Sequence, residues 1–133
     1  MTRGKFMLIN SEYDAWAIFN ILGFNCLKSA QAGGATLSHC SKTEINYIEK
    51  YRTEYRETLA KFLVMNPESS IWSIACSNHV YACLNAFYDS PFQKIPTTIG
   101  LTLKDAIEQF VFEDKRVLSF DAKGWPSNTG CAH

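Results

Sequence analysis

Two short apolar runs bracket one long capped helix signal, and that order leaves few folds open. The runs are Phe6-Met7-Leu8-Ile9 and residues 71–76, Ile-Trp-Ser-Ile-Ala-Cys. A strand exposed on one face alternates apolar and polar residues, whereas a continuous apolar run suits a parallel strand covered on both faces. Between the runs, Ser41-Lys42-Thr43-Glu44 is a capping box, in which a serine hydroxyl and a glutamate carboxylate satisfy backbone N–H groups at a helix start. Ile45, Ile48, Tyr51, Tyr55, Leu59 and Phe62 then recur every three or four residues. Lys50, Arg52, Glu54, Arg56 and Glu57 mostly take the opposite, solvated side. Asn66-Pro67 ends the pattern, because proline cannot extend the hydrogen-bond ladder. The spacing predicts a helix of about six turns. Two buried strands joined by it form a βαβ unit with a right-handed crossover, so the expected fold class is α/β.

The rest of the chain is read around that unit. After the first run, Asn10 and Ser11 can cap a helix to about residue 22, with Gly23 as its stop. Ala15, Trp16, Ile18, Phe19 and Leu22 would give it one buried stripe. Residues 25–40 are small and polar and read as a loop, and residues 89–100 as a proline-bearing one. Thr102 caps a final helix through about Phe112, with Ala106, Ile107, Phe110 and Val111 inward, and residues 114–133 are expected to be mostly irregular. At 133 residues there is room for one hydrophobic core. Thirteen basic residues balance thirteen acidic ones, which excludes a general electrostatic footprint for nucleic acid or an anionic membrane. No apolar run approaches the roughly 18 to 20 residues of a membrane span, and the first residues form no secretory apolar region.

Five cysteines, at 26, 40, 76, 83 and 131, are many for a cytosolic domain of this size. They read either as two bridges and a leftover thiol in an oxidising compartment, or as buried thiols packing as small hydrophobes. Cys26 and Cys40 can close the 25–40 loop, which would stabilise by roughly 3 kcal/mol in the chain-entropy model. Cys76-x-x-His79 and His39-Cys40 offer metal ligands, but no second closely spaced pair completes a zinc site, so no metal or cofactor is expected.

In open parallel sheets, catalytic groups gather beyond the carboxyl ends of the strands. Asp14 lies five residues after Ile9, and His79 three after Cys76, so neighbouring strands would bring both to one rim. A carboxylate beside a histidine fixes the tautomer and stabilises the imidazolium while Nε2 takes a proton from a nucleophile. Acid before histidine is also the chain order of α/β-hydrolases. Blander roles compete. Asp14 can help cap the first helix through Ser11-x-x-Asp14, and His79 can be a hydrogen-bonded surface residue. No Gly-x-Ser occurs, so a nucleophile elbow is missing despite eleven serines. A Cys76–His79 mechanism is the remaining local option for a nucleophile.

The residues resemble the carboxyl-terminal part of the pectin acetylesterase/Notum family. The similar stretches are residues 6–14, ending in Tyr13-Asp14, and Cys76-Ser77-Asn78-His79. Between and after them come Cys40-Ser41 leading into Glu49-Lys50-Tyr51-Arg52, Asp89-Ser90-Pro91 through Pro96, residues 100–103, and Trp125-Pro126 through Cys131. The resemblance implies an α/β/α serine hydrolase that cleaves carboxylic esters without a metal, on acetylated polysaccharide or acylated protein. It implies Asp14 as triad acid and His79 as general base, disulfides Cys76–Cys131 and Cys26–Cys40, and a secreted protein. The family's Gly-x-Ser-Ala-Gly-Gly turn and oxyanion donors are not in this sequence. Residues 1–133 are therefore expected to be a partial domain, a fragment whose partner is the missing amino-terminal half and which is inactive alone. The rivals are a non-catalytic binding module using Tyr81, Phe87, Tyr88 and Phe92, and a cysteine hydrolase using Cys76.

Overall fold

A computed structural model describes residues 4–27, 39–77, 79, 101–122 and 124. Its elements are β1 (Met7–Ser11), α1 (Ala15–Asn20), α2 (Lys42–Met65), β2 (Ser70–Ile74), α3 (Leu103–Val111) and β3 (Leu118–Phe120). The three strands form one parallel sheet in the order β1-β2-β3. This is an α/β fold. The register pairs Met7 with Ser70 and Ser11 with Ile74 on one side of β2, and Ile71 with Leu118 on the other.

The central strand β2 is buried at all five residues, as its apolar character requires. β1 is only half-buried from Met7 to Asn10, so the expected cover on both faces is not met there. β1 also runs two residues past its apolar run. Asn10 and Ser11 stand opposite Ser73 and Ile74, and ladder pairing of the backbone overrides the capping tendency of their side chains. The cap of the first helix therefore moves to Asp14. Within residues 114–133, expected to be mostly irregular, β3 is a short strand the sequence does not mark: three residues carry little local signal, and β2 supplies the pairing that holds them.

α2 follows its signals closely. Ser41 Oγ accepts from Glu44 N, and the Glu44 carboxylate accepts from Ser41 N at 2.7 Å. The helix stops at Met65 with Asn66 as its cap. α3 has its own capping box, Thr102 with Asp105, and buries Leu103 and Ala106, while Val111 points outward against expectation. Gly23 takes a left-handed φ of 74°, which lets the chain leave α1 with Phe24 N donating to Ile18 O at 3.2 Å. Cys26 and Cys40 are bridged, which ties the end of that turn to the start of α2. The core gathers Tyr13, Ile18 and Leu27, Ile48 of α2, Trp72 and Ile74 of β2, and Leu101, Leu103 and Ala106.

Candidate active site

Beyond the carboxyl ends of β1 and β2 the two chains stay zipped together. Glu12 N donates to Ile74 O at 2.8 Å, Tyr13 N to Cys76 O at 3.1 Å, and Ala15 N to Ser77 O at 2.8 Å. These bonds carry Asp14 and His79 to the same rim, although 65 residues separate them.

Asp14 is 5% exposed and uses its two oxygens differently. Oδ1 accepts from Trp16 N at 2.9 Å and Ala17 N at 3.2 Å, which caps α1. Oδ2 lies 2.7 Å from His79 Nδ1. The capping role and the pairing with histidine are thus both met by one carboxylate. Facing a carboxylate, which only accepts when ionised, a neutral imidazole would place its proton on Nδ1 and its lone pair on Nε2. The His79 side chain is 42% exposed, which leaves the ring open to solvent on one side. The indole of Trp16 stacks on it, with ring centroids 5.5 Å apart and planes 21° from parallel. Trp16, expected in the buried stripe of α1, is in fact an exposed residue set against the imidazole.

Directly before this pair sits a charge cluster that has no local signature. Glu12 is fully buried, and its carboxylate accepts from Arg52 Nε at 2.5 Å and Arg56 Nη2 at 2.7 Å. Ser73 Oγ of β2 adds a contact at 3.3 Å. Arg56 also donates to the backbone carbonyl of Asp121, whose carboxylate accepts from Ala75 N at 3.0 Å. Arg52 lies over the Tyr13 ring, and the Tyr13 hydroxyl donates to Glu49. The cluster therefore clamps the ends of β1, β2 and β3 to α2, one residue pair away from Asp14. Burial alone pulls the Arg52 guanidinium down, but the hydrogen bond and charge of Glu12, with Tyr13 and Glu49, hold it above its ordinary value. Burial pushes the Tyr51 phenol up, and the Asp14 charge adds to that. Helix periodicity alone places Arg52 and Arg56 mostly on the solvated side of α2. Their long stems cross to the sheet because a buried carboxylate needs paired cations, and a partner 40 or 44 residues away leaves no trace in helix periodicity.

Cys76 is disulfide-bonded, which removes both its thiolate nucleophile role and its use beside His79 as a zinc ligand. Its expected partner Cys131 lies outside the described residues, as do Tyr81, Phe87, Tyr88 and Phe92. Among the described residues, no three His, Cys, Asp or Glu side chains converge to hold a metal ion, and no helix is long and apolar enough to cross a membrane. A cavity of about 160 Å³ lined by Gly4 and residues 66–69 lies before β1 and β2, away from the pair.

No curated protein and no solved structure matches the chain. A family model described as pectinacetylesterase does match, over residues 2–132, so the chain belongs to the pectinacetylesterase family, whose members are carboxylic ester hydrolases.

Proposed function

We propose that this chain supplies the acid and the general base of a serine carboxylesterase, with Asp14 as the acid and His79 as the base. The observation that carries the reading is the 2.7 Å bond between Asp14 Oδ2 and His79 Nδ1. In the proposed cycle, His79 Nε2 takes the hydroxyl proton of a serine as that oxygen attacks the ester carbonyl. The imidazolium then gives its proton to the departing alkoxide, leaving an acyl-serine. In the second half, Nε2 takes a proton from water, the hydroxide attacks the acyl carbon, and the proton returns to the serine as the acid is released. Asp14 stays ionised throughout, holding the tautomer and stabilising the positive ring.

The nucleophile is assigned to a segment outside these 133 residues, because none of the eleven serines stands in a Gly-x-Ser turn. The chain by itself is accordingly expected to be inactive, since members of such a unit do not act alone. Its ester is an acetyl group on polysaccharide or an acyl group on protein. Extracellular residence fits both the family, typically extracellular, and the Cys26–Cys40 bridge.

The test is reconstitution. The genomic DNA upstream of Met1 is read for an in-frame segment encoding Gly-x-Ser-x-Gly. That segment is produced with this chain, and p-nitrophenyl acetate hydrolysis is measured. Hydrolysis that requires both parts and falls by roughly six orders of magnitude in His79→Gln supports the proposal. Hydrolysis indifferent to His79 overturns it. A verified start at Met1 with no such segment moves the weight to a non-catalytic module.

A further inference from the structure

One hydrogen bond fixes one atom of an imidazole ring. With Nδ1 held by Asp14 Oδ2, the ring of His79 still has freedom to turn about that contact and to tilt Nε2 away from a reacting hydroxyl. The His79 side chain is 42% exposed, so part of the ring lies open to solvent. What lies against the ring is the indole of Trp16, 5.5 Å away between centroids and only 21° from parallel. Trp16 is delivered there by the carboxylate that binds the histidine: Asp14 Oδ1 accepts from Trp16 N at 2.9 Å, and Oδ2 reaches His79. Carboxylate and indole therefore come from a single helix-capping turn, and both meet the imidazole brought in by the segment after β2. Nothing in the burial of α1 demands an indole at this place, because Trp16 is 46% exposed while Ala15, Ala17 and Ile18 fill the core side.

We propose that Trp16 is a positioning residue for His79: its indole face fixes the plane of the imidazole and so aims Nε2, the atom that exchanges the proton. The inference rests on the reading of His79 as a general base. Stacking of ordinary strength corresponds to roughly a 2- to 13-fold preference for the held orientation over a free one. The same face suits the charged ring formed during the reaction, since an aromatic face attracts a cation. Asp14 faces the ring directly, and the Tyr51 phenol of α2 feels the Asp14 charge.

The experiment is proton NMR of the His79 ring in the full 133-residue chain, comparing Trp16→Leu and Trp16→Phe with the unaltered protein. Circular dichroism serves as the folding control. The proposal expects upfield-shifted His79 ring protons in the unaltered chain. It expects near-free values and roughly 2- to 13-fold faster exchange of the Nδ1 proton in Trp16→Leu, with recovery of most of both in Trp16→Phe. Unchanged ring shifts and exchange in a folded Trp16→Leu overturn it.

Should Trp16→Leu fail to fold, tryptophan emission is followed on acidification in the unaltered chain and in His79→Gln. A fall in emission confined to the unaltered chain supports contact with the protonated ring, and the same fall in both refutes it. These readouts report ring placement without turnover. Their failure would remove the role of Trp16 and leave the base assignment of His79 to the hydrolysis assay.

Discussion

Replacing Glu12 with alanine should damage this protein more than any other single loss of charge among the described residues. The carboxylate is fully buried and meets Arg52 at 2.5 Å, Arg56 at 2.7 and 2.8 Å, and Ser73 Oγ at 3.3 Å. Removing it takes the shared buried carboxylate from both guanidinium groups, and Arg52 keeps the more exposed Glu49 at 3.7 Å. Breaking a buried pair by deleting one partner costs roughly 3–5 kcal/mol. The Arg56 side chain is 33% exposed, so water recovers part of its lost contact, and the lower end, about 3 kcal/mol, is expected. With a urea slope of about 1.5 kcal/mol/M, that lowers the unfolding midpoint by roughly 2 M. Glu54→Ala is the control: its partner Lys50 is 3.7 Å away, both side chains are about two-thirds exposed, and about 0–1 kcal/mol is at stake. Urea titrations followed by circular dichroism measure both. A Glu12→Ala midpoint within about 0.5 M of the Glu54→Ala midpoint would refute the reasoning, because it would mean the cluster is no better than a surface pair.

Asp14→Asn should leave stability nearly unchanged, since asparagine caps a helix as well as aspartate, while Asp14→Ala costs about 1 kcal/mol; thermal melts of the two compare them. In the reconstituted hydrolase, Asp14→Asn should still lower kcat by roughly four orders of magnitude, because the amide no longer fixes the tautomer. Burial raises the Tyr55 phenol, with hydrogen bonds to Ser73 and Asn10 partly opposing it, so its neutral form is favoured in the fold. Its contribution is complete below the ordinary value of 10.0 and is lost as pH climbs through the raised one. Melting temperature should accordingly fall above pH 10 and fall less steeply in Tyr55→Phe. The double variant Cys26→Ser/Cys40→Ser should lose roughly 3 kcal/mol in denaturant titrations, as expected for freeing a loop whose ends are 14 positions apart.

The readable parts of this molecule are those whose signal is local. The Ser41–Glu44 box, the Thr102 cap and the Asn66-Pro67 stop mark both long helices nearly to the residue, because capping and proline act within one turn. The apolar runs locate β1 and β2, and their carboxyl ends locate Asp14 and His79. Strand length is less legible: Asn10 and Ser11 belong to β1 only because β2 lies beside them. β3 is invisible for the same reason. Trp16 misleads, since an apolar residue at helical spacing is assumed to face the core, whereas this one covers a ring from elsewhere in the chain. The Glu12–Arg52–Arg56 cluster is the clearest omission. Nothing near Glu12 marks it as buried, and it becomes legible only when α2 is laid across the end of the sheet.

One measurement bears on the central claim with the fewest intermediates: the protonation of His79 read by long-range nitrogen–proton NMR in the folded chain, with and without Asp14→Ala. The account predicts a single tautomer, proton on Nδ1 and lone pair on Nε2, which gives way to a mixed, rapidly exchanging ring when the carboxylate is removed. A ring that already interconverts in the unaltered protein and ignores the substitution would contradict it.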